Sequence, residues 1–225
     1  MQNESTQTDD GGKISEFVRR NRKGIYISMG IIIFLFVAVI VYLSLNSYFQ
    51  KKAIAEVEEL NSKYAELRFF LVDENYNDDV DALLEKLNAF VKGKSQYAGA
   101  RGWTIIAQIY SGREDWSKAE EAWRNAAKAG PKTYLAPAAF FNAAAAAENQ
   151  GKIEDAIVLL EKCVSYKFNF PAAPRAQFSI GRLNEQRGNI PAAIAAYRAI
   201  LADEHLSKIE NWANLAQSRI IAIEE

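Results

Sequence analysis

Ala82, Ala119, Ala156 and Ala193 stand 37 residues apart, and a fixed period of that size limits the folds open to this chain more than any other feature. Other positions share the register: Ala100, Pro137 and Pro174; Ile106, Ala143 and Ile180; Ala107, Ala144 and Gly181; Gly151 and Gly188. A period in the range of roughly 20 to 50 residues marks one supersecondary unit copied and stacked, each copy burying a face it cannot bury alone. Within each period the apolar residues recur at spacings of three and four, which is one face of a helix. The fold class expected is therefore all-α, a solenoid of helical hairpins.

The N-terminal fifty residues read differently. A polar stretch from Met1 to Gly12 leads to the basic cluster Arg19, Arg20, Arg22 and Lys23, and Ile25 to Leu45 then carries no charged side chain. At about 1.5 Å per residue these 21 residues span a hydrocarbon core of roughly 30 Å. Tyr26, Tyr42 and Tyr48 sit near the ends, where an amphipathic ring suits the headgroup level. A cleaved secretory signal is the rival reading, but its apolar core runs to about 7 to 15 residues before a small-residue cleavage site, and Ser44 to Ser47 offers no such site. More basic residues precede the run than follow it at Lys51 and Lys52, which places the N-terminus inside and the repeats outside the cytoplasm.

These patterns divide the chain into 1–23, a disordered cytoplasmic tail with a basic cluster; 24–46, a transmembrane helix; 47–96, a helical connector with a degenerate first repeat; and 97–225, the repeats proper with a C-terminal capping helix. In the connector, Ala53, Val57, Leu60, Tyr64, Leu67 and Leu71 form one helical stripe, and Val80, Leu83, Leu84, Leu87, Phe90 and Val91 form a second after the capping residues Asn77, Asp78 and Asp79. A coiled coil competes for the first stripe, although its pattern breaks near Asp73 before four heptads accumulate. The last segment, Ser207 to Ile223, presents Trp212, Leu215, Ile220 and Ile221 as a cap.

Trp103, Ile106, Ala107, Tyr110, Ala119, Trp123, Ala126 and Pro131 fall in order on an aromatic, aliphatic, small, tyrosine, alanine, aromatic, alanine, proline signature. This stretch resembles a tetratricopeptide repeat (TPR). A second copy from Pro137 keeps Phe140, Ala143, Ala144, Ala156 and Leu160 with Ala147 and Cys163 as departures; a third from Pro174 keeps Ile180, Gly181, Ala193 and Tyr197, with Gln177 and Asn184 replacing aromatics. The resemblance implies about three TPR-like hairpins after the degenerate one.

One N-terminal span, a helical connector and a short array of degenerate repeats also resemble the ancillary subunit family of the bacterial Sec translocon. That resemblance implies a single-pass inner-membrane protein with periplasmic repeats, whose partners are translocon subunits or a periplasmic chaperone. A scaffold in another envelope machine, such as a flagellar-motor collar or a secretion or outer-membrane or cell-wall assembly complex, shares the same layout.

In TPR arrays the first helix of each hairpin lines a groove, and the corresponding positions here are Arg101, Thr104 and Gln108; Ala138, Phe141 and Ala145; and Arg175, Phe178 and Arg182. Phe141 and Phe178 can anchor an apolar side chain, while Arg101, Arg175 and Arg182 can fork onto carboxylates. The bland alternatives are inter-repeat core for the two aromatics and a solvated face for the arginines, with Glu185 available to neutralise them. The family's clamp for a C-terminal carboxylate matches only at Asn142 and Arg182, and Thr104, Gln108 and Phe178 depart from it.

Function classes fall away on composition and motif. Net charge is −1, from 27 basic and 28 acidic residues without a long basic stripe, which argues against nucleic acid as a partner. One cysteine, Cys163, permits no internal disulfide. The single histidine, His205, has no nucleophile beside it in the pattern, and no phosphate loop or metal-ligand spacing occurs, so no catalytic residue, cofactor, metal or small-molecule substrate is expected. Glu58 with Glu59 and Glu120 with Glu121 read as solvent-facing helix charge.

Overall fold

The computed structural model describes residues 10–69, 76–166, 170–203 and 210–225. These are helical, with no strand among the described residues: α1 Asp10–Phe69, α2 Tyr76–Phe90, α3 Gln96–Gly112, α4 Trp116–Ala129, α5 Leu135–Asn149, α6 Ile153–Val164, α7 Ala173–Gln186, α8 Ile190–Ala202 and α9 Glu210–Glu224. The chain divides into two compact units, Met1–Lys52 and Ala53–Glu225.

In the first unit the helix already runs from Asp10, so residues 10–23 are helical where a disordered tail is expected from sequence, and residues 1–9 lie outside the described residues. An 18-residue window of α1 reaches a mean hydropathy of 2.8 with none of it buried, so this is a helix long and apolar enough to cross a membrane. Ser28 donates its hydroxyl hydrogen to the Ile25 carbonyl at 2.9 Å, which satisfies that hydroxyl from within its own helix.

The second unit is a stack of hairpins in which each helix from α3 to α8 packs on the next, α2 packs on α3, α3 also meets α5, and α9 closes on α7 and α8. The same four-residue pattern builds the inward face of every second helix. Ala119, Ala122, Trp123 and Ala126 of α4 are buried, as are Ala156, Leu159, Leu160 and Cys163 of α6 and Ala193, Ala196, Tyr197 and Ile200 of α8. Each set follows the i, i+3, i+4, i+7 rule for one helical face. Three rungs of the alanine ladder are thus fully enclosed, where two antiparallel helices approach closely.

The fourth rung is not. Ala82 is exposed, and the buried face of α2 includes Val80, Leu83, Leu84 and Leu87. That set repeats the inward pattern of α4 at a spacing of 39 residues instead of 37. At about 100° per residue, Ala82 lies roughly 200° round from Val80, on the opposite side of α2. Ala53, Val57 and Tyr64 of α1 belong to the same buried cluster as the α2 stripe, in which Val80 takes the place that alanine holds on the later second helices. Leu71, the last member expected of the α1 stripe, lies outside the described residues.

Packing inside the hairpins is a matter of matched sizes. The third hairpin has Gly181 against Tyr197, and at the same register positions the first two carry Ala107 with Trp123 and Ala144 with Leu160, all four buried in one cluster. A Cβ placed on Gly181 would lie 2.4 Å from Tyr197 Cε1, so glycine is the only residue that admits this ring. The polar departures in the same hairpin are satisfied: buried Asn184 donates to the Ile180 carbonyl at 2.8 Å and Gln177 donates to the Ala196 carbonyl at 3.2 Å.

The turns inside the hairpins repeat as well. The backbone amides of Asp115, Lys152 and Asn189 donate to the carbonyls of Tyr110, Ala147 and Asn184 at 3.0, 3.0 and 2.8 Å. The preceding residue is left-handed in each case, Glu114 at φ 58°, Gly151 at 75° and Gly188 at 77°. Glutamate meets a Cβ clash there that glycine avoids. Glu114→Gly is therefore expected to raise the stability of the array by about 0.5–1 kcal/mol, and Gly151→Ala to lower it by about 1 kcal/mol, read from urea midpoints; a stabilising Gly151→Ala contradicts the turn assignment.

Candidate partner-binding surface

The nine candidate residues lie on α3, α5 and α7, the first helix of each of the three hairpins, but the structure gives them unequal access. Thr104 is only 6% exposed and its hydroxyl donates to the Ala100 carbonyl at 2.8 Å, an ordinary helix back-bond that removes it from any binding surface. Phe178 packs against the core: half-buried, its ring lies 5.1 Å from that of Tyr197 and 5.5 Å from that of Trp212, joining α7 to α8 and α9. Thr104 is thus enclosed, while Phe178 is half-buried and partly covered by α8 and α9.

Arg101 is held inward by Glu58, 3.5 Å from its Nε, and Glu58 also accepts the Tyr97 hydroxyl hydrogen at 2.8 Å. Arg182 pairs with Glu148 at 2.7 Å, and Glu185 is the partner of Arg219 and of the Tyr197 hydroxyl. Glu185 therefore neutralises neither Arg175 nor Arg182. The bridges Glu148–Arg182 and Glu185–Arg219 are the same contact moved along by 37 residues, each joining one hairpin to the next. Both are legible in the chain as a Glu and an Arg 34 apart. Being partly exposed, a pair of this kind contributes about 0–1 kcal/mol and serves mainly to set register.

What remains accessible is a mixed patch. Arg175 is exposed and its guanidinium stands 5.2 Å from the Phe141 ring centroid, bridging α7 to α5. Phe141 is half-buried with its ring 6.5 Å from that of Phe170. Gln108, Ala138 and Asn142 are half-buried, and Ala145 is exposed. A guanidinium laid on an aromatic face keeps its edge N–H groups free to donate, so this patch offers a cation, an apolar ring and amide hydrogen-bonding groups together.

The two acidic pairs do not simply face solvent. Glu120 is buried, its carboxylate accepting from Arg124 at 2.7 Å, Gln150 at 2.9 Å and Lys152 at 3.2 Å, and it ties α4 to the turn before α6. Its neighbour Glu121 is exposed, and Glu58 faces α3 as described while Glu59 is exposed. Burial alone pushes the Glu120 carboxyl up, but the three donors outweigh it and hold the group below the usual glutamate range. Cys163 is buried in α6, and burial pushes its thiol up to about 12, which leaves it protonated and unreactive near neutral pH. His205 lies outside the described residues.

Residues 106–163 and 165–205 match the family model described as Tetratricopeptide repeat. These segments are tetratricopeptide repeats. The chain is 35% identical over 145 residues, 64% of its length, to a TPR repeat-containing protein of Treponema pallidum (strain Nichols), of which it spans 59%. Two crystal structures of nearly identical TPR-like repeats from a putative kinesin light chain of Podosopora anserina, one of them a point variant, align over 75% of this chain and 95–96% of theirs at 15% identity and a TM-score of 0.48.

The Glu120 latch has a pH signature. A carboxyl whose folded pKa is depressed adds stability above its unfolded pKa of about 4.3, and that stability is lost as pH falls through the folded value. The melting midpoint of the TPR unit is expected to drop as pH is lowered below about 4.3, and Glu120→Gln, destabilised at about pH 7, to show a shallower drop over the same window. Parallel pH profiles for the two proteins contradict the latch. In the native state Cys163 is expected to resist a thiol-specific reagent and to react on unfolding in urea; rapid labelling of the folded chain contradicts its burial.

Proposed function

We propose that this chain is a membrane-anchored protein–protein interaction subunit, with α1 as its single span, its N-terminus in the cytoplasm and its TPR hairpins on the far side of a bacterial inner membrane. The observation that carries the reading is the accessible Phe141–Arg175 pair on α5 and α7. A stack of hairpins with a mixed apolar and cationic patch across a repeat boundary is suited to hold a protein segment. The layout of span, connector and short array makes translocon subunits and a periplasmic chaperone the first partners to test. The carboxylate clamp of that family's chaperone-binding members is weakened further by the geometry, because Arg182, one of its two matching residues, is already paired with Glu148.

The decisive experiment places a photo-crosslinking amino acid at Gln108 or Ala145 on the patch and, as a control, at Val158 on the exposed side of α6. A common adduct from the first two, absent from the control and reduced by Phe141→Ala with Arg175→Ala, is the expected result. Translocon or chaperone peptides in that adduct support the first partner set. Motor or cell-wall proteins instead place the chain as a scaffold in another envelope machine, and equal adducts from all three positions remove the patch as the contact. For topology, protease added after the outer envelope is opened is expected to degrade the chain beyond Lys51 and spare the segment before Ile25; protection of the TPR hairpins reverses the orientation.

A further inference from the structure

Away from the Phe141–Arg175 patch, at the start of the array, a cleft of about 740 Å³ opens between the Ala53–Phe69 part of α1 and the α2 helix with the turn after it. Four lysines line it: Lys63 from α1, Lys86 from α2, and Lys92 and Lys94 from the turn. All four are exposed, and none pairs with a carboxylate among the described residues. Lys94 instead stands 5.3 Å from the Phe90 ring centroid. Two glutamates, Glu56 and Glu59, line the α1 wall, so four positive charges face two negative ones. That surplus of two positive charges makes the hollow attractive to an anionic segment. Leu60, Ala89 and Phe90 complete the lining and give it an apolar share.

We propose that this cleft is a second docking site, separate from the Phe141–Arg175 patch, and that its occupant is an acidic peptide segment of a protein partner with apolar residues among its carboxylates. Its volume lies in the usual range of ligand sites, roughly 300–1,000 Å³. The surroundings decide between a peptide and a broader polyanion. The same two helices carry Glu66, Asp78, Asp79 and Glu85, all exposed. An anionic bilayer or a nucleic acid laid across the hairpin meets those carboxylates, whereas a narrow chain enters between them and brings its own charges only to the lysines. Glu56 and Glu59 set the direction of entry, repelling carboxylates from the α1 wall toward Lys86, Lys92 and Lys94. The apolar side chains of the segment lie on Leu60 and Ala89.

The test uses the full chain in nonionic detergent and a fluorescein-labelled hexapeptide of glutamate and leucine, with its glutamine counterpart as control, read by fluorescence anisotropy. The glutamate peptide is expected to bind saturably at low salt and to weaken about tenfold at about 0.5 M salt. Lys86→Glu, Lys92→Glu and Lys94→Glu combined are expected to weaken it at least about tenfold. Lys162→Ala, at an exposed position of α6 outside both surfaces, leaves it unchanged. Lys92→Gln with Lys94→Gln, which alters two exposed side chains, gives the same direction in a variant whose circular dichroism matches wild type. The proposal is overturned by equal binding of the glutamine peptide, by no saturation, by variants that bind like wild type, or by capture on phosphatidylglycerol vesicles without binding of the peptide.

Discussion

Everything in the repeat unit depends on how closely two antiparallel helices approach inside each hairpin. Ala119, Ala156 and Ala193 sit at that crossing with no exposed surface, and the residues around them vary in compensation. Where the second helix brings Trp123 or Leu160, the first helix presents alanine; where it brings Tyr197, the first helix presents Gly181, because no Cβ fits beneath the ring. Close approach of this sort is what lets short helices bury enough apolar surface to stack.

Stacking then determines which side chains remain for a partner. Each first helix is covered by the hairpins before and after it, so positions that look outward on an isolated helix are lost to the next unit. Phe178 goes to Tyr197 and Trp212, and Thr104 lies beneath a neighbouring helix. Arg182 and Glu185 are consumed by the ionic rungs that join successive hairpins. Phe141 and Arg175 escape this because they pack on each other. The candidate binding surface is the remainder after the array has satisfied itself, which is why it is small and chemically mixed.

The repeat and its helical character are legible in the chain because packing repeats at a fixed interval and leaves small residues and turn glycines at the same places. Gly151 and Gly188 are left-handed as their shared register implies, and the same register leads to Glu114, a strained glutamate that no composition rule singles out. The register misleads at Ala82, since coincidence of residue type at 37 residues conceals a two-residue shift in the first hairpin, where the face that packs holds Val80, Leu83, Leu84 and Leu87. Buried charge is illegible for a different reason. Glu120 and Glu121 look alike along the chain, and only the arrival of Gln150 and Lys152 from the next hairpin makes one of them a latch. The candidate site residues fall on the expected helices, but their exposure is a property of the stack.

The crossing alanines hold each of the three TPR hairpins closed, and Ala82 is not one of them. Urea unfolding of four single variants, Ala82→Leu, Ala119→Leu, Ala156→Leu and Ala193→Leu, tests this without any knowledge of the partner. Overpacking at the three enclosed crossings is expected to lower stability by about 1–3 kcal/mol each, while Ala82→Leu, on the exposed side of α2, stays within about 0.5 kcal/mol of wild type. A loss at Ala82 equal to the others, or wild-type stability at any of the three crossings, contradicts that arrangement.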